Sequence, residues 1–549
     1  MKLNKQYKEG LTSLFFIFTS YLSFSYSNLF YNSTHSPDFY KYRNYFNYYS
    51  GIQDSTLLEQ GNLYFYFVSK IIDLRSEILN LRNYYEGISN SIQVANMLIY
   101  LIGIIGIYKL LDLRNYSKIN ILFSLSILNF FPPAIALRLI LKPEILIFTL
   151  FIWSLYCFEV YLENKNTLIL FNCITLISLV ISTKISTGII VALFYLVYFY
   201  REILTENIKT IFLGFFIFIL LFASLSYENY LINDVLFYDH KISEDYNFTA
   251  DPSFVYNLSL KNIIYNPYPE FHNNSLIGIV VLETFNDHFN LYWNNDESVF
   301  AQGSVIFFKQ NLKIYLAILL TSVFYLTALY LSRKEKKLFT LSPLIGILVM
   351  TIFSLFILFE PESGDMLKNY YYSFLLILSF IFIVNYCLNK NNLFYIIFII
   401  LTISTFFIFG FPKAYDDLMV ERINLQNETS PVCEVNSFLI GNIENNCYEH
   451  IDSFCEDTFK DFTKPELVNG LLVENKYEKL SVYEFEKNNV TEEITNYENC
   501  IKYLNNGWEP LSLYEINNRI PIFSIILFLY SILSSLMIRN IKKIMSYNS

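Results

Sequence analysis

Long apolar runs alternate with short, basic polar stretches along most of this chain. The runs at about 11–29, 92–111, 118–136, 143–162, 166–182, 185–200, 210–226, 313–332, 339–359, 370–388, 393–412 and 520–538 approach or exceed the ~18–20 residues needed to cross a bilayer. Twelve membrane-spanning helices are expected from this pattern. The boundary between the 166–182 and 185–200 runs is the weakest, because only Ser182-Thr183-Lys184 interrupts it. The first run follows Lys2, Lys5 and Lys8 and carries no small-residue cleavage site, so it reads as a retained span.

Composition agrees with the pattern. The chain is 549 residues long, 54% hydrophobic and 16% charged, against ~25% charged in soluble proteins. Charge placement then orients the spans. With the amino terminus inside, the inner loops hold Lys109, Arg114 and Lys118, then Lys165, then Arg201 and Lys209, then Arg333, Lys334, Lys336 and Lys337, then Lys390. The carboxyl terminus, also inside, holds Arg539, Lys542 and Lys543, as the positive-inside rule requires. Usage rich in Lys, Asn and Ile fits an AT-rich genome, and a bacterial inner (plasma) membrane is the simplest home.

Three outer segments are long: 30–91, 227–312 and 413–519. From 413 to 518 there are 21 Asp/Glu against 8 Lys/Arg, a net charge of −13. The same segment holds Cys433, Cys447, Cys455 and Cys500, and an even number in one polar stretch points to disulfides in an oxidising compartment. Cys157, Cys173 and Cys387 fall in spans and read as small apolar residues. The organisation expected is a transmembrane domain over 1–412, the acidic extracytoplasmic segment over 413–519, and a last span with a basic cytoplasmic tail over 520–549.

Candidate chemistry sits at the outer ends of the spans. The first outer loop opens with His35-Ser36-Pro37-Asp38-Phe39-Tyr40-Lys41-Tyr42-Arg43, a carboxylate and cations among tyrosines. Asp38 is a candidate catalytic group, although an Asp after Pro also caps helices well. The tyrosines from Tyr40 to Tyr49 suit an interfacial helix, as does the short run 58–68. Arg138, Lys142 and Glu144 are charges at the membrane edge, where such groups face a cavity, pair with one another or snorkel. Lys184 repeats the case in the next pair of spans, and cations on one face can hold phosphate. In the second outer segment Asp287, His288 and Trp293 mix carboxylate, imidazole and aromatic ring, which suits a sugar as well as it suits an ordinary polar loop. Asp365 and Lys368 share a helix face next to Tyr371, as an ion pair or as a phosphate contact. There is no Walker-type glycine loop, dinucleotide fingerprint or Ser/His/Asp signature, so any activated donor has to come from the membrane.

On these residues the chain resembles the GT-C class of polytopic glycosyltransferases. The resemblance rests on Asp38 in the first outer loop and on Leu141-Lys142-Pro143-Glu144 opening a span. It also rests on Leu282 to Trp293 and on Gly364-Asp365-Met366-Leu367-Lys368-Asn369-Tyr370-Tyr371. It covers residues 1–412 as architecture and lacks the adjacent second acid that the class often carries, since Phe39 follows Asp38. It implies an all-α polytopic membrane fold of about twelve transmembrane helices, GT-C-like, with outer-face loops and a small periplasmic insertion. The implied activity is sugar transfer from a polyprenyl-phosphate carrier to a glycan, lipid or protein acceptor on the periplasmic face. Asp38 would be the general base. Arg138, Lys184 and Lys368 would stabilise the leaving phosphate, with Arg43, Lys142, Asp287, His288, Trp293, Asp365 and Tyr371 as further substrate contacts. The lipid-linked sugar is the donor, a divalent metal is left open, membrane lipids are partners and nucleic acid is not. The alternatives are an O-antigen-polymerase-like enzyme, disfavoured by the acidic late loop, and a transporter or flippase of lipid-linked sugars, disfavoured by the lack of internal repeats.

Overall fold

In the computed structural model, helices dominate. The residues it describes are 5–30, 61–79, 88–204, 208–233, 252–257, 275–285, 305–334, 339–356, 369–390, most of 462–511, 522–547 and single positions among these stretches, such as Ser33 and Tyr42. The helices relevant to the site are α1 (Lys5–Phe30), α2 (Asn62–Leu79), α3 (Ile88–Leu113), α4 (Lys118–Leu128), α5 (Pro132–Leu139), α6 (Glu144–Asn164), α7 (Thr167–Thr183), α8 (Ile185–Leu204) and α9 (Ile208–Asn233). They are followed by α10 (Leu276–Glu283), α11 (Val305–Lys334), α12 (Pro343–Phe356) and α13 (Ser373–Lys390).

The axis of the bundle is α6. Its residues are apolar all round, and a helix of that kind has no face to give to water. Every residue from Glu144 to Phe158 is buried. Helix α3 runs parallel to it and approaches closely, because a side chain on Gly103 would meet Phe148 and one on Gly106 would come within 2.9 Å of Ile152. Small residues at such a contact let apolar helices pack without a hydrophobic driving force between them. Two hydrogen bonds tie the pair together: Thr149 Oγ1 donates to Ile99 O at 2.8 Å and Trp153 Nε1 to Ile102 O at 3.0 Å.

Among the described residues four helices are long and apolar enough to cross a membrane, or five if a bent pair counts as one span. Twelve spans are therefore not what the structure shows. Helices occupy most of the expected intervals, but several apolar ones are only 10–17 residues long. The 118–136 interval is two helices, α4 and α5, bent by 65°. The reason is covalent: Pro132 and Pro133 open α5, and a proline supplies no N–H to continue α4. Most of the 393–412 interval lies outside the described residues.

The far end of α6 is fixed by an ion pair. Arg114 Nε donates to both carboxylate oxygens of Glu159, at 2.9 and 3.1 Å, and Nη2 reaches Oε1 as well. The guanidinium also lies 4.5 Å from the Phe339 ring and 4.8 Å from that of Phe382. This knot joins α3 and α6 to α13 and to the turn that precedes α12.

The segment 413–519, read as part of an otherwise helical chain, contains strands. β1 (Phe462–Val468) pairs antiparallel with β2 (Leu471–Tyr477), and β3 (Tyr483–Lys487) pairs with β4 (Val490–Ile494) and β5 (Glu509–Leu511). Asn469-Gly470 separates β1 from β2, the two-residue sequence that hairpins prefer. Helix α14 (Tyr497–Asn505) precedes β5 and carries Cys500, which is buried and disulfide-bonded. Cys157, Cys173 and Cys387 are buried free thiols. The last helix, α15 (Ile522–Tyr547), packs on α7. There Asn172 Nδ2 donates to Ser531 O at 3.0 Å and to Ser535 Oγ at 2.8 Å.

Candidate functional site: a buried charged cluster where helices break

Two helix breaks meet at the end of the bundle where α6 begins. The first runs from Ile140 to Pro143. Ile140 and Lys142 leave the helical path here, and Pro143 disfavours a helical conformation at the residue before it. A break leaves backbone carbonyls without helical partners. Asn96 of α3 takes two of them: its Nδ2 donates to Ile140 O at 2.7 Å and to Arg138 O at 3.2 Å. Its Oδ1 accepts the Tyr64 hydroxyl at 2.8 Å. Burial holds the Tyr64 phenol well above its ordinary pKa, and the nearby Glu144 charge adds to this, against the opposing effect of the Lys142 backbone.

The second break is Lys184, whose extended backbone separates α7 from α8. The chain preceding α2 docks beside it. Gly61 N–H donates to Thr183 O at 3.0 Å, and a Cβ on Gly61 would stand 2.6 Å from Ser182 O and Thr183 Cα. Only a glycine passes this close to another backbone.

The charged side chains occupy the space between the breaks. Glu144, the first residue of α6, is buried, and its Oε1 accepts Lys184 Nζ at 2.5 Å. The Lys184 ammonium also lies 4.2 Å from the centre of the Tyr371 ring, on the turn Asn369–Tyr372 before α13. Lys142 is 1% exposed, with Nζ 5.6 Å from the Tyr42 ring. Tyr42 and Tyr45 pack on Phe65 of α2, with ring centres 5.3 and 4.3 Å away. Tyr42, Tyr45, Tyr48 and Tyr49 of the first loop are buried in the protein.

Arg138 is buried too, but it points elsewhere. Its Nη2 donates to Ser23 Oγ at 2.8 Å and to Asn129 O at 3.0 Å, and its Nε donates to Ala134 O. The guanidinium lies 4.4 Å from the Phe24 ring. It therefore closes the α4–α5 bend against α1. Ser33, in the first loop, donates to Leu139 O at 2.6 Å.

Of the residues singled out in the sequence, the structure brings Lys184 and Tyr371 together beside Glu144, places Lys142 in the same break with its ammonium toward Tyr42, and sets Arg138 to the side. Asp38, Arg43, Asp287, His288, Trp293, Asp365 and Lys368 lie outside the described residues. Glu144 was visible as a charge at the break but not as the partner of Lys184. Asn96, Tyr64 and Gly61 were missed, although an Asn inside an apolar run is the kind of signal that marks a buried polar contact. For a metal, three or more His, Cys, Asp or Glu side chains gather nowhere among the described residues. Compared with protein-family models and with curated proteins, the chain matches none.

Proposed function

We propose that this chain is a membrane glycosyltransferase that moves a sugar from a polyprenyl-phosphate carrier to a hydroxyl acceptor. The observation that carries the reading is the buried carboxylate of Glu144 holding the partly buried Lys184 beside Tyr371, with the buried Lys142 in the same helix break, at one end of long apolar helices. A substrate with an anionic head and a hydrocarbon tail has the same division of character. Lysines held near the reacting bond would stabilise the negative charge that builds on the departing phosphate. Tyrosine and carboxylate groups beside them suit sugar hydroxyls.

Asp38 takes the part of general base on the acceptor hydroxyl. In sequence it stands between Ser33, bonded to Leu139 O, and Tyr42, beside Lys142. Both anchors of this loop meet the 140–143 break, one at Leu139 on its helical edge and one at Lys142 within it. Arg138 braces the α4–α5 bend against α1, so its contribution is to the frame of the site and not to phosphate binding. In the orientation proposed here, both termini and the basic loops are cytoplasmic, and the site and the 413–519 segment face the periplasm of a bacterial inner membrane.

The test is a replacement of the native protein in cells by Asp38→Asn or Lys142→Met, with surface glycans and glycolipids profiled by mass spectrometry. Loss of a positioned general base costs about 10²–10⁴-fold in rate, so one sugar modification should disappear while protein level stays normal. Unchanged glycans with either variant would overturn the reading.

A further inference from the structure

We propose that Glu144 and Lys184 form an exchangeable ion pair, in which an arriving phosphate group takes the Lys184 ammonium from the Glu144 carboxylate. The inference rests on the reading of this cluster as a phosphate site and adds the event that admits the phosphate.

Two ion pairs within the bundle differ in a telling way. At the far end Glu159 uses both oxygens on Arg114, and the guanidinium is stacked against Phe339 and Phe382. That pair is built as a brace. At the site end Glu144 Oε1 holds Lys184, but Oε2 is buried and accepts no hydrogen bond among the described residues. A buried pair recovers its desolvation cost only when its remaining lone pairs are satisfied. As a brace the Glu144–Lys184 pair is therefore poor, and a competing anion faces a low threshold.

Both partners are placed to separate. Lys184 stands between two helices on a flexible four-carbon stem, and its side chain is only partly buried, so the ammonium can swing by rotation of its own stem. The Tyr371 face is a neutral surface that attracts the ammonium in either position. Glu144 is not stranded when Lys184 leaves. It occupies the first turn of the 21-residue helix α6, where the unpaired N–H groups and the helix dipole favour a negative charge. The ligand class is a phosphate monoester or diester, borne by a lipid or free in solution.

The experiment is calorimetric binding to the full-length protein in detergent, with farnesyl phosphate and inorganic phosphate as separate probes. Glu144→Gln keeps the side-chain shape and a hydrogen bond to Lys184 but removes the competing charge. It should bind farnesyl phosphate roughly tenfold tighter, within the usual span of coupling between bound groups. Lys184→Gln should bind it roughly tenfold more weakly, and the double variant should bind no tighter than Lys184→Gln. Glu144→Asp, which retracts the carboxylate, should also tighten binding and serves if Glu144→Gln does not fold. Tighter binding of farnesyl than of inorganic phosphate supports the lipid source, and equal binding overturns that source. Wild-type binding with no gain in either Glu144 variant overturns the exchange while leaving the proposed function standing. A wild type that binds neither probe overturns the phosphate reading itself.

Discussion

Replacing Asn96 by alanine removes the one side chain that serves both faces of the first helix break. Three hydrogen bonds are lost: two donated by Nδ2 to Ile140 O and Arg138 O, and one accepted from Tyr64. All three groups are buried, and water does not reach them in the folded state. A buried carbonyl left unsatisfied costs about 1–3 kcal/mol. Side-chain hydrogen bonds between membrane helices measure lower, about 0.6 kcal/mol on average, because the reference state also finds partners. Ile140 O keeps the Lys142 N–H at 3.1 Å, so three lost bonds with one stranded carbonyl, Arg138 O, cost about 2–3 kcal/mol. Tyr64→Phe removes only one of the bonds and should cost about 1 kcal/mol. Equilibrium unfolding in mixed detergent–SDS micelles, read by tryptophan fluorescence, measures both variants and the double. The two single losses should be non-additive by at least ~0.5 kcal/mol, since the residues share a bond. Additive effects, or a cost for Asn96→Ala below ~0.5 kcal/mol, would refute the claim that Asn96 holds the break together.

Three further substitutions probe the frame around the site. Gly61→Val forces a Cβ to within 2.6 Å of backbone at Ser182 and Thr183, and should destabilise by about 1–3 kcal/mol in the same unfolding assay. Gly10→Ala, where a Cβ meets nothing within 4 Å, should instead be neutral or slightly stabilising. Glu159→Gln breaks the charge pairing of Arg114 at the far end while keeping one hydrogen bond. It should cost about 1–3 kcal/mol and leave farnesyl phosphate binding unchanged, since that pair lies at the opposite end of α6; a change in binding comparable to that of Lys184→Gln would contradict the separation of the two ends.

Much of the helical scaffold was legible because apolar runs are a local property. The span count was not, because hydropathy registers how apolar a stretch is and not whether its backbone hydrogen bonds continue. Residues 118–136 look like one span by that measure, yet Pro132 and Pro133 divide them. Those prolines were in plain view, as was the Asn469-Gly470 signature of the β1–β2 hairpin. The acidic composition of 413–519 drew attention to charge and away from the strand pattern.

The pairing inside the site was a different matter. Arg138, Lys142 and Glu144 are neighbours in sequence, and a local reading couples them with one another. The structure couples none of them that way. Arg138 returns to the carbonyls of its own bend, Lys142 turns to a tyrosine from the first loop, and Glu144 takes a lysine forty positions along the chain. The cause is the geometry of a helix break. Each residue that leaves the helix exposes its side chain in a new direction, so consecutive charges at a break diverge where charges one turn apart on a helix would converge. Charges that look like a cluster in sequence are then shared among several partners. The true cluster assembles from two breaks, 140–143 and 184, which α6, α7 and α8 bring face to face. In a bundle of apolar helices, a search for paired interruptions of helices is accordingly a better guide to a polar site than a search for runs of charge.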